Sequence, residues 1–332
     1  STARKILEIA RDESVEFILL AGDLFDDNAV DRVLIQRTAD LLGKAFCPVF
    51  IIPGNHDPDV PGSVWAHPSF SRYPNIRVMR QSCPAEVPGG ILFPCPLKEK
   101  KSANDPTAWI PPSGDRRIRI GMAHGSVEGC PMDDREHPVP RDAAFRKGLD
   151  YLAMGHWHSR GLFADREGAV RMAYSGCHET TKFGEENSGN VLIVSIRGAR
   201  EIPEVKDVAV GKLRWKILEG DIREEADLHG LVSQIEKMEE PERTLLEVRL
   251  RGYLPGSRIS AIDAMAAILE SRFFWWRLDE GTLSLRPSDS AWIAELGSGL
   301  LRETAERLSG CGAPEDIRRR ALLELHSLAG KD

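Results

Sequence analysis

The stretch that decides the fold is residues 50–58, which read FIIPGNHDP. Its apolar half is typical of a strand that is buried on both faces, as in a sheet covered by helices on both sides. The chain then turns at Pro-Gly and presents Asn55, His56 and Asp57 side by side. All three side chains can bind a metal ion, and two of them can also exchange a proton. The sequence therefore indicates a functional site at the end of this strand.

Four loops share this pattern, in which a predicted strand ends and potential ligands follow at once. They are the segments 20–23 (LAGD), 53–57 (PGNHD), 122–125 (MAHG) and 154–158 (MGHWH). Because sites in open α/β sheets form outside the carboxyl ends of strands, we expect the four loops to converge at one sheet edge. Together they offer aspartate, asparagine and histidine side chains. This mixture of oxygen and nitrogen ligands suits Mn, Fe or Zn, whereas calcium is bound by oxygen ligands alone.

Composition and charge narrow the class of protein. The chain has 332 residues, a net charge of -7 and ordinary hydrophobic content. Its sequence shows no apolar run long enough to cross a bilayer and no recognisable signal peptide. Its six cysteines lie far apart, which predicts reduced thiols in the cytoplasm and not a disulfide framework. The negative charge argues against a broadly basic surface for nucleic acid, but it leaves room for a local basic patch or for contact with phosphates through metal ions.

The order of predicted elements divides the chain into three parts. Residues 1–211 are assigned to one domain, in which helices alternate with short apolar strands up to about Gly155 and predict an α/β fold with a sheet that is covered on both faces. Residues 212–287 read as strand, helix, strand, helix, strand, and we interpret them as a small α+β domain. Residues 288–332 are expected to form two helices, at 292–308 and 314–328.

Taken in order, the four loop motifs resemble those of the calcineurin-like metallophosphoesterase superfamily. Two further segments are similar to DNA double-strand-break repair nucleases of the SbcD type: AGDLFD at 21–26 and YSGCHE with a following FGE, at 174–185. The resemblance implies a phosphoesterase sandwich of mixed sheets flanked by helices, followed by a small capping domain that positions DNA. It also implies two divalent metal ions, Mn²⁺ in the first place and Fe, Zn or Mg as alternatives.

The resemblance assigns five metal ligands, namely Asp23, Asn55, His124, His156 and His158. Asp23 would bridge the two ions. Asn55, His124 and His156 would complete the second ion, and His158 would bind the first. Two such ions clamp the attacking and leaving oxygens of an in-line displacement and lower the pKa of a bound water.

Two catalytic residues follow from the same resemblance. His56 would face the scissile phosphate and donate a proton to the leaving oxygen, without binding metal. Asp57 would steady the loop that carries the ligands. Nothing in the sequence resembles a Walker loop, so we expect no ATP site of that kind in this chain.

One family motif is missing from the sequence. The family begins with a strand that ends in Asp-x-His and supplies two ligands to the first ion, whereas no histidine precedes His56 here. The first ion would then have only Asp23 and His158 from this chain. We expect that the chain starts partway along the protein, and the alternative is a variant that binds one metal and has lost activity.

The predicted function is that of a metal-dependent DNA exo/endonuclease of the repair type. One alternative is a phosphodiesterase or phosphatase that acts on a small nucleotide or phosphoester, and another is an inactive scaffold that binds DNA or an ATPase. The resemblance implies DNA and a coiled-coil ATPase of the SbcC type as partners, leaves a homodimer open and gives no reason to expect a membrane. The aromatic side chains of FFWW at 273–276, flanked by Arg272 and Arg277, could stack on nucleic-acid bases. The alternative is that they belong to a strand and point alternately into the core and to the surface.

Overall fold

The computed structural model describes residues 1–112, 116–130, 136–223, 225–255, 259–286 and 291–329. The chain forms two compact units, Ser1–Leu213 and Arg214–Asp332. The first boundary predicted from the sequence lies two residues from this division. The second, at 287, falls outside the described residues.

The first sheet is small and entirely parallel. Its strands run in the order β1-β2-β3, so that β1 is an edge strand of the described sheet. The strands and the two helices that precede and follow β1 have these bounds: α1 Thr2–Asp12, β1 Ile18–Ala21, α2 Arg32–Leu42, β2 Val49–Ile52 and β3 Ile76–Val78. The side chains of β1 are half-buried, whereas those of β2 are fully buried.

The second sheet is larger and mixed. Its order is β4-β5-β6-β7-β9-β8, with β5, β6, β7 and β9 parallel and the edge strands β4 and β8 antiparallel to their neighbours. The bounds are β4 Ala85–Val87, β5 Gly90–Cys95, β6 Ile118–His124, β7 Tyr151–Gly155, β8 Gly161–Ala164 and β9 Val170–Tyr174, with a short helix α3 at Ala143–Arg146. A separate antiparallel pair follows, β10 Asn190–Ser195 and β11 Glu204–Ala209.

The buried strand of the opening motif lies between two layers. Val49 and Ile51 pack in the cluster that contains residues of α2, while Phe50 and Ile52 pack against Met122 of β6 and its neighbours. Successive side chains of a strand point to opposite faces, so this strand needs apolar residues at every position. The uninterrupted apolar run is therefore explained by a sheet with a helix on one face and a second sheet on the other.

The second unit contains a parallel sheet, which corrects the α+β prediction. Its three strands run in the order β12-β13-β14, with both pairs parallel. The elements are β12 Arg214–Ile222, α4 Glu225–Glu236, β13 Thr244–Pro255, α5 Ile259–Arg272 and β14 Trp275–Arg286. The order of elements was predicted, but their arrangement is that of two β-α-β crossovers, which join parallel strands.

Three helices close the described chain, where two were predicted. They are α6 Ala291–Glu295, α7 Leu300–Gly310 and α8 Glu315–Ala329. The predicted helix 292–308 is interrupted between α6 and α7, where Gly297 and Gly299 disfavour continuous helix. No described helix combines the length and the apolar character that a membrane span requires.

Candidate metal centre

The four ligand loops come from two different sheets, so the expectation of a single sheet edge is wrong. The loops after β1 and β2 belong to the first sheet, and those after β6 and β7 belong to the second. The carbonyl oxygen of Ala21, at the end of β1, accepts a hydrogen bond from Nδ1 of His124, at the end of β6, over 2.7 Å. The carboxyl ends of the two sheets therefore meet, and the candidate site lies along the seam between them.

Asn55 is at the centre of this seam. Its Oδ1 lies 2.8 Å from Nε2 of His124 and 3.0 Å from Nδ1 of His156. The side chains of Asn55 and His124 are both buried. The structure thus brings an amide oxygen and two imidazole nitrogens from three loops to one point.

The tautomer of His124 is fixed by its backbone partner. A carbonyl oxygen can only accept, so Nδ1 carries the proton toward Ala21, as is usual for a histidine that binds metal through its other nitrogen. Its Nε2 then faces Oδ1 of Asn55 and Oδ2 of Asp23, the latter at 3.1 Å. With its proton on Nδ1, His124 presents a lone pair on Nε2 to these two oxygens, so the three atoms repel one another unless a cation or a proton lies among them.

A cation fits the spacing of these atoms. Metal–ligand bonds of about 2.1 Å at right angles place adjacent ligand atoms about 3.0 Å apart. The ligand atoms of Asp23, His124 and His156 all lie within 4.8 Å of one another, and Asn55 adds an oxygen to them. The donor set of carboxylate, amide and imidazole suits a transition metal such as Mn, Fe or Zn.

Asp23 is held in an uncommon backbone conformation. Its φ of 52° is in the left-handed region, and its Oδ1 accepts a hydrogen bond from the backbone N–H of His56 over 2.9 Å. Burial alone would raise its pKa, but the hydrogen bond and charge of His124 and the hydrogen bond from His56 hold the pKa below its usual value. Asp23 is therefore an anion at neutral pH, as a metal ligand must be.

Glycines allow the loops to approach this closely. A side-chain carbon at Gly155 would overlap the carbonyl oxygen of Ala21, and one at Gly54 would overlap Oδ1 of Asp23. The residue after Gly155, His156, has a φ of 109°, which is strained for a residue with a side chain. Backbone strain of this kind occurs where the surrounding structure imposes the conformation, and here it turns the imidazole toward Asn55.

His56 follows Asn55 in the loop after β2 and has contacts of its own. Its side chain is 42% exposed, and its Nδ1 lies 2.9 Å from the carbonyl oxygen of Asp26 and 3.5 Å from that residue's carboxylate. The hydrogen bond to the carbonyl places the ring proton on Nδ1 and leaves Nε2 for a group in solution. The proton-donor role stays a prediction.

Asp57 ties two ligand loops together. It is fully buried, and its carboxylate accepts hydrogen bonds from the backbone N–H groups of Gly54 and Phe25 over 2.7 and 3.1 Å. Burial, opposed by these two hydrogen bonds, raises its pKa to about 6. Its contacts are those of a loop-positioning residue and not of a group that touches substrate.

His158 belongs to a different group of potential ligands from Asp23, His124 and His156. Its Nδ1 is 2.7 Å from Oε1 of Glu185 and 3.2 Å from the hydroxyl of Thr181. Glu185 and the nearby Cys177 were not assigned a role from the sequence. Both residues lie in segment 174–185, whose similarity to repair nucleases was the one sequence signal that pointed to them. Their spacing in the sequence did not indicate a contact with His158.

Residues 1–160, just under half of the chain, match the family model described as calcineurin-like phosphoesterase. The match supports the superfamily predicted from the motifs. The four ligand loops all lie within the matched residues.

Two curated relatives align with half of the chain or more. It is 24% identical over 249 residues to the uncharacterized metallophosphoesterase YhaO of Bacillus subtilis strain 168, an alignment that covers 71% of this chain and 58% of that protein. It is 25% identical over 173 residues to the DNA double-strand break repair protein Mre11 of Saccharolobus solfataricus, covering 50% of this chain and 45% of that protein. The chain thus spans about half of the length of these relatives.

One solved structure aligns with part of the chain. The crystal structure of TT1561 from Thermus thermophilus aligns with 63% of this chain and 92% of its own, at 12% identity and a TM-score of 0.41. A similarity this low carries no argument about function.

Proposed function

We propose that this protein is a metal-dependent phosphodiesterase that cleaves DNA, an exo/endonuclease of the repair type. The observation that carries the proposal is the convergence of Asp23, Asn55, His124 and His156 at the seam of the two sheets, with distances of 2.8 to 3.1 Å from His124 to its two oxygen neighbours. A divalent cation bound there would supply charge stabilisation and an activated water for attack on a phosphodiester.

The chain's own residues have distinct tasks in this proposal. Asp23 and Asn55 supply oxygens, and the two histidines supply nitrogens, to bind and orient the cation. His56 in its protonated form presents Nε2 to the departing oxygen, because Nδ1 is engaged by Asp26. Asp57 keeps the loop of Asn55 and His56 in register with the loop of Asp23 through its two backbone hydrogen bonds.

DNA as the substrate is supported by sequence similarity and by the second unit. The similarity to Mre11 and the segment 174–185 both favour a repair nuclease. In the second unit, Phe274 and Trp275 are 61% and 41% exposed, which suits stacking on bases. Glu247 pairs with Arg249 and Arg277, so this face offers aromatic surface more than net positive charge.

We extend the proposal to partners. A coiled-coil ATPase of the SbcC type would dock on the closing helices, where Leu300, Ile317 and Leu328 are exposed at 79%, 57% and 60%. A homodimer is a second proposed assembly. Light scattering after gel filtration, with and without the ATPase, checks both.

The decisive experiment compares two substrates. Protein expressed from the complete reading frame is incubated with labelled duplex DNA and with bis-p-nitrophenyl phosphate, with and without Mn²⁺. Manganese-dependent cleavage of both substrates, lost in Asn55→Ala, supports the proposal. Cleavage of the small ester alone indicates an enzyme for small phosphoesters, and no cleavage of either indicates a scaffold.

A further inference from the structure

Tyr174 ends strand β9 and begins segment 174–185, and its side chain is fully buried in the core of the larger sheet. Its ring meets those of Trp157 and Phe163 edge to face, with 5.8 Å between the ring centroids in each pair. A buried tyrosine needs a partner for its hydroxyl, because a polar group left unpaired in the core costs free energy. The partners of this hydroxyl lie in the loop that follows β6.

The hydroxyl of Tyr174 uses both of its hydrogen-bonding functions on that loop. It donates to the carbonyl oxygen of Gly125 and accepts from the backbone N–H of Val127 over 2.9 Å. Gly125 directly follows the candidate ligand His124 in the chain. Both hydrogen bonds are buried, so removal of the hydroxyl takes away a partner from two buried backbone groups beside this ligand.

Gly125 also connects the two histidine loops. Its N–H donates to the carbonyl oxygen of Gly155 over 3.2 Å, and Gly155 precedes His156. A side-chain carbon at Gly125 would overlap the carbonyl oxygen of His137, so only glycine fits here. Tyr174 therefore holds a residue that is itself bonded to the loop of a second candidate ligand.

The ring of Tyr174 contacts the loop after β7. Trp157 stands between His156 and His158 in the sequence, and its ring meets that of Tyr174 at an interplanar angle of 84°. Edge-to-face packing of this kind is a favoured arrangement of two aromatic rings. The indole also lies against Gly161, where a side-chain carbon would come within 2.8 Å of it. The position of this loop is thus set in part by the contact of Trp157 with Tyr174.

We propose that Tyr174 is a positioning residue of the candidate metal centre, which orients His124 through its hydroxyl and the loop of His156 through its ring. Its hydrogen bonds go to backbone groups beside the ligands, so it acts on metal binding through them. Ligands that are held in place before the cation arrives lose less conformational freedom on binding, and this raises affinity. The inference rests on the metal centre of the proposed function and does not depend on DNA as the substrate.

The test compares two buried tyrosines of the same sheet. Tyr151 of β7 is 4% exposed, and no ligand loop among the described residues forms a hydrogen bond with its hydroxyl. The full chain, Tyr174→Phe and Tyr151→Phe are freed of metal with a chelator and titrated with Mn²⁺ by isothermal titration calorimetry. We expect the affinity to fall by about tenfold or more in Tyr174→Phe and to be unchanged in Tyr151→Phe. Unfolded protein would lower the stoichiometry and not the affinity of the folded fraction, so the titration separates positioning from loss of structure.

Equal affinities in the wild type and Tyr174→Phe would overturn the inference, as would an equal loss in the two variants. If Tyr174→Phe does not fold by circular dichroism, Trp157→Phe takes its place, because it removes part of the indole that packs on Tyr174 and leaves the hydroxyl intact. We expect weaker Mn²⁺ binding in that variant too, and an unchanged affinity would refute the inference. A wild type that binds no Mn²⁺ would instead refute the metal centre and both proposals with it, whereas tight binding by every variant refutes the role of Tyr174 alone.

Discussion

His124 Nε2 lies 2.8 Å from Asn55 Oδ1, although the two residues are 69 positions apart and belong to different sheets. Because Nδ1 of His124 is already committed to the carbonyl of Ala21, Nε2 is presented to Asn55 as a metal-binding nitrogen. This single relationship joins the two halves of the candidate metal centre.

The first prediction concerns metal binding. Mn²⁺ should stabilise the wild-type protein against heat, by about 2.7 kcal/mol when its concentration is a hundred times the dissociation constant. Asn55→Ala and His124→Ala should lose most of this stabilisation, since each removes a ligand atom. Thermal unfolding with Mn²⁺ and with a chelator measures the effect. An equal shift in wild type and both variants would remove these residues from the site.

A second prediction separates His56 from the ligands. His56→Ala should lower kcat by about 10²-fold or more, because it removes a proton donor, while leaving the Mn²⁺ content unchanged. Elemental analysis and turnover on bis-p-nitrophenyl phosphate are measured on the same samples. A fall in metal content parallel to activity would show that His56 is a ligand.

The third prediction concerns the close contact at Gly155. Gly155→Ala places a carbon against the carbonyl of Ala21 and beside His124, so it should lower the free energy of unfolding by about 2 kcal/mol or more and weaken metal binding. Gly230→Ala is the control, since nothing lies within 4 Å of the added carbon and the residue is inside α4. It should raise stability by about 0.5–1 kcal/mol. Urea denaturation distinguishes the two, and similar effects would contradict the packing argument.

The fourth prediction tests Asp57 as a loop-positioning residue. Asp57→Asn keeps the shape but replaces one acceptor oxygen by a donor, which leaves the N–H of Gly54 or of Phe25 without an acceptor. The expected loss of stability is about 1–3 kcal/mol. Any loss of turnover should follow the loss of folded protein and of metal affinity. If turnover fell while both were intact, Asp57 would take part in the chemistry.

A pH dependence follows from Asp165, in the loop between β8 and β9. Burial raises its pKa, but hydrogen bonds from Ala169, Glu167 and Arg171 outweigh burial and lower it below the usual 3.8. A carboxyl with a lowered pKa stabilises the fold fully above its unfolded value, and this contribution is lost as the pH falls through the folded value. Asp165→Ala should therefore cost about 1–2 kcal/mol near neutral pH and less in acid, as urea denaturation at several pH values would measure. A loss that is constant with pH would contradict this account.

Some features of the fold were accessible from local sequence and others were not. The apolar run at 47–52 predicted a fully buried strand, and β2 occupies Val49–Ile52 with all four side chains buried. Such a strand can be predicted because burial on both faces requires an apolar residue at every position. The predicted helix 292–308 is broken at Gly297 and Gly299, because glycine lowers the helix propensity of this segment. The parallel direction of the strands in the second unit was not predicted, because the order of strands and helices along the chain does not determine whether neighbouring strands pair in parallel or antiparallel.

The sequence by itself determined which residues can bind metal, since Asp23, Asn55 and the histidines follow strand ends at turns that glycine permits. Only the tertiary structure decided which of them meet. The packing of two sheets along one seam brings Asn55 into contact with His124 and His156. Separately, the folding of segment 174–185 places Glu185 against His158. Motifs report local backbone and side-chain chemistry, whereas the grouping of ligands depends on contacts between residues far apart in the chain, and no local pattern encodes them.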